Sequence, residues 1–164
     1  MNQLCPPPPV IPGHDRESMD PRMREDDRID KPMPPITSPL HKQLASILQN
    51  EPQLDFAVLV GSQATGTAQP HSDWDIALQW AYGADWLATL GSTETLRHKL
   101  AAATGLSPAK IDLIDLRRAN LAMRASVAEE GLPLSGEDSL AWARFLQRTW
   151  RDLEDFYWDK QHAA

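Results

Sequence analysis

The order of apolar and polar residues along the chain predicts alternating helices and strands. After Pro39, apolar residues recur three and four positions apart, which is typical of one face of a helix. The segment LDFAVLV, residues 54–60, is an almost unbroken apolar run and predicts a buried strand that ends at Gly61. A short helix or turn then leads to a second predicted strand, DWDIALQW, residues 73–80.

The second half of the chain continues the alternation. Residues 84–105 have a mostly helical pattern, and we expect Gly91 to interrupt this helix because GSTE resembles a new helix start. A third strand, a helix and a short extended piece follow at residues 110–116, 117–131 and 132–136. A long helix over residues 137–160 closes the pattern. The prediction is an α/β fold of the α+β kind, with a small mixed sheet flanked by helices.

The first 38 residues differ in composition from the rest. They hold most of the 14 prolines, a block of mixed charge and almost no large apolar residues. Such a segment cannot bury enough surface to offset the entropy lost on ordering. We therefore expect a disordered proline-rich tail over residues 1–38 and a folded domain over residues 39–136.

The last segment, residues 137–164, predicts an amphipathic helix. Its aromatic residues follow three-and-four spacing, and aromatic residues dominate interface hot spots. Packing on the domain and binding a partner therefore both remain open for this helix. Arg144, Arg148 and Arg151 alternate with acidic residues, which we interpret as a solvated opposite face.

Charge and cysteine content narrow the function classes. The formal net charge of −7 repels phosphate backbones, so a general nucleic-acid binder is disfavoured. Cys5 is the single cysteine, which excludes an internal disulfide and a multi-cysteine zinc site. No apolar run is long enough for a bilayer and no secretory signal is evident. We expect a cytoplasmic protein that contacts neither membrane nor nucleic acid directly.

Asp73 and Asp75 carry the first candidate chemistry. Residues i and i+2 of a strand point to the same face, so these carboxylates emerge side by side and repel each other unless a cation lies between them. Carboxylate oxygens suit Mg²⁺, which prefers one or two protein carboxylates together with substrate phosphates. Trp74 and Ile76 point the other way, and we expect them in the core.

The third strand offers one further carboxylate, Asp112 or Asp115. The two lie three residues apart and therefore face opposite sides of a strand. Only one of them can join the Asp pair, and periodicity does not choose between them.

The turn after the first strand is a candidate phosphate cradle. Gly61 and Ser62 stand where a strand turns into a helix, and backbone N–H groups at such a turn bind phosphate. Gly66 adds a second flexible point, and Ser72 directly precedes the Asp pair. Ten residues separate Ser62 from Asp73, which is enough to bring cradle and carboxylates over one nucleoside triphosphate. Each motif alone is common, whereas the joint pattern is specific.

This pattern resembles the signature of the DNA polymerase beta type nucleotidyltransferase superfamily: Gly61-Ser62, ten residues, then Asp73-x-Asp75. Residues 39–136 are similar to the minimal nucleotidyltransferases, and among them to MntA-type antitoxins, which pair with HEPN-domain toxins (HepT). The resemblance implies transfer of AMP from ATP to a tyrosine of the HEPN RNase toxin. It implies that Asp73 and Asp75 bind two Mg²⁺ ions and that Gly61 and Ser62 hold the triphosphate.

The resemblance also implies a role for Asp112. The family carries a valine-or-isoleucine, Asp, Leu, valine-or-isoleucine pattern on its third strand, and residues 111–114 match it. Asp112 is then the third catalytic and metal-binding carboxylate, either a ligand of the metal that activates the tyrosine hydroxyl or its base. Asp115 is then a structural residue.

The chain departs from the family in the turn. Many relatives carry Gly-Ser-Arg-Ala-Arg-Gly there, whereas this chain has Gln63 and Thr65 in the two basic positions. Cations elsewhere could replace them, the candidates being Arg97, Lys99, Lys110 and Arg117.

Two other functions stay open. One is a nucleotidyltransferase for a small molecule such as an aminoglycoside, against which stands the absence of a second substrate-binding domain. The other is an antitoxin of weak catalytic power that acts by direct binding, against which stand the intact carboxylates.

Overall fold

The computed structural model describes residues 38–83 and 85–162, with Trp86 described by its backbone alone. The predicted tail over residues 1–37 lies outside the described residues. The elements in chain order are α1 (Pro39–Gln49), β1 (Leu54–Val60), α2 (Gly61–Thr65), β2 (Trp74–Trp80), α3 (Trp86–Thr104), a 3₁₀ turn (Pro108–Lys110), β3 (Ile111–Asp115), α4 (Leu121–Glu130), β4 (Leu132–Ser135) and α5 (Leu140–His162). None of the helices in this described part has the length and apolarity to cross a membrane.

The four strands form one mixed sheet in the order β3-β2-β1-β4. β1 is antiparallel to both of its neighbours, β2 and β4. β2 and β3 are parallel, and α3 lies in the connection between them. The predicted small mixed sheet flanked by helices is therefore confirmed, and the short extended piece is its fourth strand.

Helices cover both faces of the sheet, and each face has its own core. On one face α1 and α3 pack on alternate strand residues, among them Leu59, Ile76 and Trp80. On the other face α4 and α5 pack on Phe56 and Val58. Burying side chains of this size stabilises the fold by about 1.5–3 kcal/mol each. Because neighbouring strand residues alternate between the two cores, the direction of each β2 side chain is well defined.

Helix α3 runs through Gly91 without a break, so the predicted interruption is wrong. The Asp85 side chain caps the helix by accepting the N–H of Ala88 at 3.0 Å. Glycine in a helix interior costs about 1 kcal/mol. The packing of Leu96 and Leu100, both fully buried, offsets this cost over a helix of 19 residues.

Helix α5 begins at Leu140, later than the predicted residue 137. The Ser139 hydroxyl accepts the N–H of Trp142 at 3.1 Å, which is the geometry of an N-cap. The first half of the helix packs on the sheet, since Phe145, Thr149 and Leu153 are buried.

Candidate active site

The in-register pairing of β2 with β3 places Asp75 beside Asp112. The two residues are direct partners in the parallel ladder, and partners on adjacent strands project from the same face. Asp115 is paired with Leu78 near the other end of β3. Its carboxylate is bound by Arg117, with Nη2 and Oδ2 2.9 Å apart. The choice between Asp112 and Asp115 that periodicity left open is thus a matter of strand register, and Asp112 is the residue beside the Asp pair.

The pKa of the Asp75 carboxyl is raised above its ordinary value. Burial is the main cause, and the nearby charges of Asp112 and Asp73 add to it. All three causes disfavour the ionised carboxylate and would be relieved by a cation among the three residues. The site therefore carries an electrostatic cost in the absence of a positively charged ligand. Trp74 and Ile76, predicted to face the core, are buried as expected.

Asp73 faces a lysine. The Lys110 ammonium lies 2.9 Å from Asp73 Oδ1 and donates a second hydrogen bond of 2.7 Å to the carbonyl of His71. The side chains of Lys110 and Asp73 are 43% and 56% exposed. An ion pair as exposed as this contributes at most about 1 kcal/mol, so Asp73 can exchange Lys110 for another cation at small cost.

Lys110 is the one of the four candidate cations that the structure places at the Asp pair. The other three bind elsewhere: to the carbonyl of Ile111 (Arg97), to Glu51 (Lys99) and to Asp115 (Arg117). Among the four, Lys110 is therefore the cation that lies beside the Asp pair, and it approaches from the turn before β3.

Gly61 lies directly against the carboxylate of Asp75. Its φ is +68°, a left-handed conformation that favours glycine. A Cβ atom at this position would lie 2.7 Å from Asp75 Oδ2, closer than real Cβ contacts come. Both the backbone conformation and the lack of space for a side chain thus favour glycine at position 61. Its small size lets the turn lie against the Asp75 carboxylate.

The other predicted nucleotide-binding residues shape the turn and the loop after it. Gly66 ends α2 in a left-handed conformation, φ +72°, and its N–H donates to the carbonyl of Ser62. The Ser72 hydroxyl accepts the N–H of Gln69 at 2.9 Å. This loop borders a cavity of about 480 Å³ whose lining includes Ser72 and Lys110.

The donor set fits magnesium. Asp75 and Asp112 supply adjacent hard oxygens, and Mg²⁺ ordinarily takes one or two protein carboxylates together with substrate phosphates. Within residues 38–83 and 85–162, no three His, Cys, Asp or Glu side chains converge closely enough to hold an ion by themselves. The orientation of Asp73 toward Lys110 is consistent with this. A site of two carboxylates, completed by a nucleotide and by release of Asp73 from Lys110, is chemically suitable.

The chain matches the family described as polymerase beta, nucleotidyltransferase, over residues 42–140, which is more than half of its length. It therefore belongs to this family of nucleotidyltransferases. Comparison with curated protein sequences gave no significant match.

Solved structures narrow the comparison to one group within the family. A toxin–antitoxin solved with AMP-PNP is 29% identical, with a TM-score of 0.58, over 74% of this chain and 92% of the other. A variant of the MntA–HepT toxin–antitoxin is 31% identical, with a TM-score of 0.53, over 71% and 87%. A chain from a complex of the tri-AMPylated Shewanella oneidensis HEPN toxin with MNT antitoxin is 26% identical, with a TM-score of 0.52. The match covers 74% of this chain and 90% of the other. The resemblance to MntA-type antitoxins is thereby confirmed.

The sequence did not predict the cavity that two arginines of α5 border. Arg144 and Arg148 are exposed, as the interpretation of a solvated face expects, and both line a cavity between α5 and the sheet. Their spacing of four residues, directly before Phe145 and Thr149 of the buried stripe, was the available signal.

Proposed function

We propose that this protein transfers AMP from ATP to a tyrosine hydroxyl of a HEPN-domain RNase toxin and thereby neutralises the toxin. The observation that carries the proposal is the pairing of Asp75 with Asp112 beside the Gly61 turn. Similarity to chains from toxin–antitoxin complexes supports the partner, since one of these holds AMP-PNP and another a tri-AMPylated HEPN toxin.

Asp73, Asp75 and Asp112 have the central roles in this reaction. Asp75 and Asp112, with Asp73 once it is released from Lys110, would hold Mg²⁺, which would neutralise charge on the attacking and leaving oxygens. The tyrosine oxygen forms a bond to the α-phosphorus of ATP, and the bond to the α–β bridging oxygen breaks. Pyrophosphate leaves, and Asp112, the partner of Asp75 in the ladder, accepts the phenolic proton.

The turn and Lys110 position the triphosphate. The backbone at Gly61 approaches the Asp75 carboxylate without an intervening side chain, which leaves room for a phosphate over the turn. The Ser62 hydroxyl adds a hydrogen-bond donor. Lys110, released from Asp73, supplies a positive charge for the leaving pyrophosphate. The Gly61 turn has no arginine that could do so.

The test is transfer of label from ATP to a HEPN partner in the presence of magnesium. We expect label on a partner tyrosine, loss of transfer in Asp75→Asn and in Asp112→Asn, and retention in Asp115→Asn. Asp115 is the matched control because it lies on the same strand as Asp112 but at its far end. Undiminished transfer by Asp75→Asn would contradict the proposed mechanism. Label on a small acceptor in place of the toxin would instead indicate the aminoglycoside-type alternative.

A second candidate function is an antitoxin that acts by binding alone. The missing arginines of the turn favour a slow enzyme, since Gln63 and Thr65 offer no positive charge to the phosphates. Inhibition of the toxin RNase by Asp75→Asn in the absence of ATP, as strong as inhibition by the unmodified protein with ATP, would select this alternative.

A further inference from the structure

A second cavity lies at the opposite end of the sheet face that carries Asp75. Its volume is about 760 Å³, within the range of small-molecule sites. Gln79, near the end of β2, and Leu116, just after β3, form part of its wall, and α5 closes it with Phe145. Gln79 lies four residues beyond Asp75, which corresponds to about 13 Å along a strand. The cavity is therefore separate from the carboxylate site.

Positive charge lines this cavity in a protein of formal net charge −7. Its lining holds four arginines: Arg117, Arg124, Arg144 and Arg148. The first two are paired with Asp115 and Asp152 at 2.9 and 2.8 Å.

Arg144 and Arg148 lie one turn apart on α5, and neither makes an ion pair within the part of the chain that the structure describes. Asp55 is the acidic residue of the lining. Arg144 and Arg148, both exposed and without acidic partners among the described residues, suit an anion because guanidinium groups bind phosphate oxygens in pairs.

A buried hydroxyl in the same wall lacks a partner. Thr149 is fully buried and lines the cavity, and its Oγ1 makes no hydrogen bond to any described residue. A buried hydroxyl without a partner is unfavourable, since it has lost its bonds to water. Because Thr149 has no exposed surface, a ligand in the cavity does not reach this hydroxyl, and the arginines of the lining would hold the anion.

We propose that this cavity binds a phosphate group, carried by a nucleotide or by pyrophosphate, without the help of a metal ion. The carboxylate site is negative and can hold a phosphate through a cation, whereas the arginine cavity holds one through its own side chains. This difference separates the two sites experimentally. The proposal does not depend on the identity of the acceptor, and its failure leaves the proposed transfer reaction untouched.

The experiment titrates the full chain with AMP and, separately, with pyrophosphate in EDTA, using calorimetry. We expect saturable binding that weakens at least tenfold in the double variant Arg144→Gln/Arg148→Gln. Arg151→Gln is the matched control, because Arg151 is an exposed arginine of the same helix outside the cavity lining. Binding should be unchanged in Arg151→Gln and in Asp75→Asn. Preference for AMP over pyrophosphate would identify a nucleotide as the source of the phosphate, and equal affinity would identify phosphate alone.

Thr149→Val separates binding from folding. Valine has nearly the shape of threonine without the unpaired hydroxyl, so thermal stability should be equal or higher, while affinity for AMP should be unchanged because Thr149 has no surface open to the cavity. Three results would overturn the proposal: no saturable binding of either ligand at millimolar concentration in EDTA, equal losses in Arg151→Gln and in the double variant, or loss of binding in Asp75→Asn alone.

Discussion

At the residue scale, Gly61 lets the turn lie directly against the carboxylate of Asp75. Adding one methyl group at this position tests the importance of that contact. Gly61→Ala would place Cβ against Asp75 Oδ2 and strain a φ of +68°. Displacement of a catalytic group by about 1 Å costs on the order of 100-fold in rate, so we expect AMP transfer to fall by about that factor. Gly66→Ala is the control, because Gly66 has a similar φ of +72° but open space around it. It should lose about 1 kcal/mol of stability and keep most of its activity.

Asp75 should lower the stability of the metal-free protein. Its pKa is raised in the folded state, so the ionised carboxylate destabilises the fold at pH values above that pKa, and the penalty disappears as pH falls toward the ordinary value of 3.8. We expect Asp75→Asn to unfold at a higher urea concentration than the unmodified protein in EDTA at neutral pH, and the difference to shrink near pH ~4. An equal or lower midpoint for Asp75→Asn at neutral pH would contradict a raised pKa of Asp75 in the folded protein.

The sequence predicts the candidate site residues but not all of their neighbours. Strand periodicity places Asp73 and Asp75 on one face because that rule is local. The pairing of Asp112 with Asp75 depends on which residues of β2 and β3 come into register. The sequence of one strand alone does not specify which residues it pairs with. The contact of Lys110 with Asp73 has the same origin, since it spans 37 positions of sequence.

At the scale of elements, α1 packs a titratable side chain, His41, against the core. His41 packs edge-on against Trp74, with ring centroids 5.3 Å apart, and burial lowers its pKa below 6.5. Above pH 6.5 the imidazole is neutral in both states and has no effect. As pH falls below that value, the unfolded chain binds a proton that the folded chain resists binding, so stability declines until the folded pKa is passed.

His41→Phe should remove this part of the pH dependence. The urea midpoint of the unmodified protein should fall more between pH ~8 and pH ~5.5 than the midpoint of His41→Phe. His98→Gln serves as the comparison, because His98 is exposed on α3. The idea fails if the two variants show the same pH dependence.

The elements themselves were largely predictable. Strand β1 was predicted at its observed bounds because an apolar run between Pro52 and Gly61 has few alternatives. The interruption of α3 at Gly91 was wrong because local propensity, worth about 1 kcal/mol, is smaller than the tertiary packing of the helix on α1 and β3. The late start of α5 was set by Ser139, a capping residue within the predicted segment.

At the scale of the whole molecule, α5 buries one part of its apolar stripe and exposes the other. Leu153 is buried, whereas Phe156, Tyr157 and Trp158 are 52%, 56% and 65% exposed. We expect Phe156→Ser/Tyr157→Ser to leave the free energy of unfolding within about 0.5 kcal/mol of its original value. The same change should weaken binding to a HEPN partner at least tenfold, or about 1.4 kcal/mol, in a pull-down or calorimetric titration.

Leu153→Ala gives the opposite pattern. It should cost about 2–4 kcal/mol of stability through the cavity it leaves. Unchanged partner affinity in the Phe156→Ser/Tyr157→Ser variant would show that the toxin binds another surface.

The position of β3 at the edge of the sheet has a consequence for motion. This strand is bonded to β2 alone, and outer strands open locally at a lower free energy than inner ones. Each such opening would carry Asp112 away from Asp75 while the inner strands stay closed. A magnesium nucleotide bound between the two strands would hold them together, and the amide hydrogens of Ile111–Asp115 should then exchange with solvent more slowly than in the free protein. The edge strand would thus report occupancy of the site in its rate of hydrogen exchange.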